Sequence, residues 1–225
     1  MVLLLSNLNA LTGGLFLIAA FGIVVTRQVR ACLNFFVFSS ISLAASALLL
    51  GAEQFSWHLV AVGVINLITK PWLLPWILRR TVREEIYNQR EITQAVNIPT
   101  SLLIALGLVI AAYFFSLPWL DAVAAGATLR TNVPAGLAGL LLGAYTITAR
   151  REAVPQLLGL LTMENGAFFA GIAIAAELPL IAELALAFDV LILTFIVAVL
   201  TRTIHEHIGT TAAGALSELR EETRQ

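Results

Sequence analysis

Residues 63–80, GVINLITKPWLLPWILRR, decide how the whole chain reads. The stretch is an apolar run closed by arginines, and it carries Lys70 about nine residues before that closure. In a water-soluble helix such a lysine is an ordinary solvated side chain. In a helix that crosses a bilayer it costs at least about 2.5–3.5 kcal/mol and is kept there only with a partner or a task. Composition chooses the second setting. Of the 225 residues, 59% are hydrophobic and 12% charged, far outside the range of an ordinary soluble domain.

Working outward from this stretch, the apolar runs predict seven helices, roughly 3–26, 31–52, 57–78, 100–117, 132–149, 154–176 and 181–201. Each is long enough to cross a hydrocarbon core of about 30 Å. The expected fold is therefore all-α and polytopic, with about seven transmembrane helices. Arg27 to Arg30 end the first span, Arg79, Arg80 and Arg83 the third, and Arg150 and Arg151 the fifth. Pro118 is expected to stop the fourth, Pro155 to open the sixth, and Pro179 precedes the seventh. The N-terminal run lacks a basic leader and reads as a span, not a removable signal.

Orientation follows from the basic residues. With the N-terminus outside, the loops after spans one, three and five and the C-terminal tail hold 11 of the 13, Arg130 lies outside, and Lys70 lies within a span. The positive-inside rule thus gives N-out and C-in. The polar connector 83–99 is expected to be solvated or a short interfacial helix, and the tail 206–225 to form a short surface helix.

Several classes of function drop out. A net charge of -1 gives no electrostatic basis for binding nucleic acid. The single cysteine, Cys32, precludes an intrachain disulfide framework or a cysteine-based metal cluster and reads as a small apolar residue on a membrane helix. His205 and His207 lack further ligands, so no metal and no cofactor are expected. No stretch reads as a soluble catalytic domain.

What remains is a set of three ionisable residues inside apolar helices: Lys70, Glu164 in PQLLGLLTMENGAFFAGIAIA, and Asp189 in LALAFDVLILTFIVAVLTR. Counted from the arginine boundaries at 1.5 Å per residue, they lie roughly 14–20 Å deep, in one slab near mid-membrane. Two readings are open. Buried charges can pair simply to hold helices together. They can also relay protons, because burial draws an acid and an amine toward each other in proton affinity and makes transfer cheap. The relay is the expectation. Asn165, beside Glu164, with Asn66 and Tyr145, are the supporting polar candidates. Asn7, Asn9, Asn34, Thr146, Thr148, Thr162 and Thr194 read as interhelical hydrogen-bond partners. Pro71 and Pro75 free carbonyls near Lys70, and Trp72 and Trp76 suit an interfacial position.

From about residue 132 to 220 the chain resembles a known family. The strings LLTMENGAFFAGIAIA and ELPLIAELALAFDVLILTFIVAVLTRTIHEHIG look like hydrogenase-4 component E, a membrane subunit of group 4 hydrogenase complexes. That region is in turn similar to the complex I K subunit and the multisubunit antiporter C subunit. ITKPWLLPWILRR also has the look of component E. The resemblance implies a division into residues 1–130, a four-helix transmembrane region, 131–205, a three-helix region like the K subunit, and the cytoplasmic tail 206–225. It matches Glu164 and Asp189 to the acidic residues of the K subunit's second and third helices, with Asp where that subunit has Glu. The implied role is a non-catalytic subunit of an oxidoreductase complex of the hydrogenase type. Its buried acids would join a proton-translocation pathway coupling redox chemistry to ion movement. The implied partners are antiporter-like and quinone- or hydrogenase-side membrane subunits, besides membrane lipid. The implied location is a bacterial or archaeal plasma (inner) membrane. A structural scaffold of an antiporter-like complex is the competing expectation.

Overall fold

The computed structural model describes residues 2–81 and 96–174, together with the two helical residues Phe195 and Val199. Every regular element among them is helical. In chain order these are α1 (Val2–Val25), α2 (Val29–Gln54), α3 (Trp57–Ile68), a π-helical turn (Thr69–Leu73), α4 (Leu74–Thr81), α5 (Ile98–Ala122), α6 (Ala127–Ala149) and α7 (Ala153–Ile174). Since α3, the π-turn and α4 run on without a break, they make one span, and six helical spans are long and apolar enough to cross a bilayer. They match the first six expected runs. Most of the seventh run, the tail, most of the connector 83–99 and Asp189 lie outside the described residues.

Two boundaries differ from expectation. Pro118 does not stop its helix, because α5 continues to Ala122. Likewise α6 begins at Ala127 and carries Pro134 in its interior. The cause is the medium. Away from water, unwinding a turn orphans several backbone groups, whereas an internal proline forfeits a single hydrogen bond. The extended ends leave a short link, braced by Arg130 Nη2 donating to Asp121 Oδ1 at 2.8 Å.

The π-turn has a phase to correct. At about 100° per residue, Leu59, Val62, Gly63, Asn66 and Lys70 fall on one face of the helix, and all are buried. Continued as a regular α-helix, Leu78 would arrive about 100° away from Leu59. The π-turn takes up one residue, with Leu74 N–H donating to Thr69 O, and brings Leu74 and Leu78 back to the inside face. Lys70 sits at the point of correction.

Side chains fill the interior in layers. One apolar layer joins Ile23, Cys32, Leu33, Phe36, Leu74, Leu78, Val154, Leu158 and Leu161 at the end where α1 and α6 finish. A second joins Phe16, Leu43, Leu50, Leu59, Ala135, Phe169 and Ile172 toward the opposite end, with the Phe16 and Phe169 rings stacked at 4.7 Å. The first layer is sealed by Arg150, just past α6. Its Nη2 donates to the carbonyls of Ile23, Val24 and Thr26 at 2.9, 2.8 and 2.6 Å, satisfying the otherwise orphaned C-terminus of α1. Burial pulls this guanidinium below its usual range.

Helices α6 and α7 approach so closely that glycine is required at the crossing. A Cβ on Gly166 would collide with Leu140 N and Gly136 O, and one on Gly143 with Met163 N and Gly159 O. Small residues at such contacts are how membrane helices gain packing where no hydrophobic effect drives them together.

Candidate functional site

Between the two apolar layers lies a polar one, and three spans enter it by the same pattern. On α2, Phe36 of the first layer is followed by Ser39 and Ser40, then Leu43 of the second. On α7 the order is Leu161, then Glu164 and Asn165, then Phe169. The third span runs the other way, from Leu59 through Lys70 to Leu74. The polar groups therefore meet mid-bundle, sealed above and below by hydrocarbon.

Lys70 Nζ donates to Glu164 Oε1 at 2.9 Å and to Asn165 Oδ1 at 2.7 Å. The Phe168 ring faces the same ammonium, its centroid 5.3 Å away, adding a cation–π contact. Asn165 is fully engaged. Its oxygen accepts from Lys70 while its amide nitrogen donates to Ser40 Oγ at 2.9 Å and Ser39 Oγ at 3.3 Å. Ser39 Oγ in turn donates to Phe36 O at 2.8 Å. The network thus runs from the π-turn through Asn165 of α7 to α2, and the ammonium, which can only donate, fixes which way the carboxamide points.

Burial grades across the pair. The Lys70 side chain is 2% exposed and that of Glu164 21%. The amine is closed inside the bundle, whereas the carboxylate reaches its surface. At 2.9 Å a proton can pass directly between them, turning an ammonium–carboxylate pair into a neutral amine and acid.

Of the residues singled out from sequence, the structure brings Lys70, Glu164 and Asn165 into direct contact. Asn66 lies one turn before Lys70 and donates to Val62 O in its own helix, at 3.1 Å. Tyr145 lies elsewhere, its hydroxyl donating to Ser101 Oγ of α5 at 2.9 Å. Thr146, Thr148 and Thr162 likewise bond carbonyls of their own helices and not neighbours. Ser39 and Ser40 were not anticipated, although the run SSISLAAS (39–46) places four serines in an apolar helix.

A second polar layer was also missed in part. Asn9, anticipated as an interhelical partner, donates from Nδ2 to Asn132 Oδ1 at 2.7 Å. Ser46 Oγ donates to Asn9 Oδ1 at 2.6 Å, and Asn132 Nδ2 donates to Ser46 Oγ at 3.1 Å. This closed ring ties α1, α2 and α6, and all three residues are buried. Among the described residues no cluster of histidine, cysteine and carboxylate could hold a metal ion.

These features define a multi-pass, all-helical membrane protein with a charged cluster in its interior. The chain is 36% identical over 209 residues to a protein of Mycobacterium tuberculosis (strain ATCC 25618 / H37Rv) that bears the name Uncharacterized protein Rv0085, across 93% of this chain and 94% of that one, and it belongs to the family of that protein. No family model and no solved structure matches it.

Proposed function

We propose that the chain is a membrane-arm subunit of a hydrogenase-4 or complex I-like assembly and that Lys70 and Glu164 carry protons within it. The observation that carries the reading is the Lys70–Glu164 pair, placed between two apolar layers with Asn165 completing the lysine's coordination. Desolvating two charges is expensive, and hydrophobic residues of similar volume often hold helices together at least as well. A cell that keeps the pair has a use for its charge. The graded exposure supplies an order: Glu164 is the group met from the bundle surface, and Lys70 the group behind it. The resemblance of residues 132–220 to component E, and the N-out, C-in orientation given by the arginines, support a place in the plasma membrane beside antiporter-like subunits, with no redox centre in this chain. Asp189 belongs to the same proposal through the resemblance.

A second reading is favoured by one specific observation. Asn165 also grips Ser39 and Ser40, so the cluster ties three spans together and could serve as a brace alone. Glu164→Gln separates the two. The amide keeps an oxygen for Lys70 but cannot take up its proton. In inverted membrane vesicles containing the assembled complex, the variant is expected to assemble normally and to lose redox-driven proton translocation. Translocation that survives the substitution would overturn the relay and leave the scaffold.

A further inference from the structure

At the end of the bundle where α1 and α6 finish, two chain reversals sit against each other. The first, 26–28, joins α1 to α2, and the second, 150–152, joins α6 to α7. Arg150 fastens one to the other through its bonds to Ile23, Val24 and Thr26. Val29 and Val154, the first buried residues after each reversal, enter the same apolar layer. The two reversals carry Arg27 and Arg151 at this end of the bundle, with Arg30 in the first turn of α2, and all three are exposed. The bond from Arg150 to Thr26, the residue before Arg27, holds the two turns close.

Among the described residues none of these three arginines pairs with a carboxylate. The contrast is Arg130 at the other end, which is held by Asp121 at 2.8 Å. The acid that accompanies the reversals, Glu152, is turned inward and buried. Among the described residues, the charge exposed where these spans end is therefore positive.

The length of the turns identifies what the patch meets. Each reversal is three residues long, so neither can project beyond the headgroup zone that borders the hydrocarbon core. The guanidinium groups are confined to the depth of the lipid phosphates. Trp76, exposed on the span whose Leu78 joins the same apolar layer, belongs near that interface too. Guanidinium is the side chain that grips phosphate oxygens in pairs.

We infer that Arg27, Arg30 and Arg151 form a binding site for the phosphate headgroup of an anionic phospholipid. The site is independent of the proposed proton relay and stands if that reading fails. Near an anionic surface each arginine is worth about a five-fold gain in affinity, so the three together give on the order of a hundred-fold.

The test uses the full chain purified in a neutral detergent and titrated with phosphatidylglycerol, phosphatidylcholine or inorganic phosphate. Bound lipid is counted by native mass spectrometry, and the thermal midpoint is followed in parallel. Phosphatidylglycerol is expected to bind and raise the midpoint while the other two do not, with binding weakening as salt is raised. The triple variant R27Q/R30Q/R151Q should keep its lipid-free midpoint and lose affinity on the order of a hundred-fold, and R27K/R30K/R151K should recover most of it. Equal binding of phosphatidylcholine would overturn the site. So would inorganic phosphate reproducing the stabilisation, which would make it a plain anion site. Undiminished phosphatidylglycerol binding by the glutamine variant, coupled with loss of a co-purifying acidic protein, would overturn it in favour of a protein partner.

Discussion

Two polar layers cross the same bundle about 10 Å apart along α2, one at Ser39 and Ser40, the other at Ser46. The inner layer is charged, spans α2, the π-turn and α7, and opens to the surface at Glu164. The outer layer, Asn9–Ser46–Asn132, is neutral, and its side chains close on one another. Both tie three helices together with hydrogen bonds of similar length. The difference shows that holding helices together here does not require charge, because two carboxamides and a hydroxyl suffice. Whatever the Lys70–Glu164 pair adds must come from being ionisable.

The comparison can be broken most severely at Glu164. Glu164→Gln is expected to remove proton translocation altogether without reducing assembly, whereas no substitution in the outer layer should do so in an assembled complex. Lys70→Met comes next. It leaves the Glu164 carboxylate without its cation, at a cost of about 3 kcal/mol seen as lowered yield of the complex and lowered thermal midpoint. Adding Glu164→Gln should restore much of that stability. Full assembly with lost translocation in Lys70→Met alone would place the lysine in the relay and not in the brace.

Gly166→Val strikes what both layers share, the α6–α7 contact that carries Asn132 on one side and Asn165 on the other. The new side chain meets backbone, which cannot yield as a flexible side chain would, and the expected loss is about 2–3 kcal/mol in thermal or denaturant unfolding. Gly171→Ala, where a Cβ meets open space, is the control and should be nearly silent. Among the disruptive substitutions the smallest effect belongs to Asn132→Leu. It orphans Asn9 and weakens the hold on Ser46, for about 1–2 kcal/mol, while translocation per assembled complex stays unchanged. Loss of translocation in that variant would mean the outer layer also handles protons and would erase the distinction drawn between the layers.

How much of this was legible in the residues depends on the kind of signal. Six spans could be read because long charge-free runs and arginine boundaries report the bilayer directly. Pro118 misled because its breaking power belongs to helices in water. Lys70 and Glu164 stood out by the cost of a charge in hydrocarbon, a property of each residue alone. Ser39, Ser40 and Asn132 did not, because a single hydroxyl or amide in a membrane helix is common and most bond their own helix, as Asn66 and Thr146 do. Which of them turn toward a neighbour depends on helix rotation, and that is set by packing.

The π-turn makes the third span intolerant of added length. From Leu59 to Leu78 the helix holds one residue more than a regular spiral would need to keep both ends facing inward, and that residue is stored beside Lys70. Deleting one position from 71 to 73 would let the backbone relax into a continuous α-helix. At about 100° per residue that helix would keep both the lysine and the pair Leu74 and Leu78 on the buried face, because the residue removed is the surplus one. A one-residue insertion on either side would throw out one of the same two sets. The span is a ruler that can lose the one division stored at the π-turn but cannot gain another.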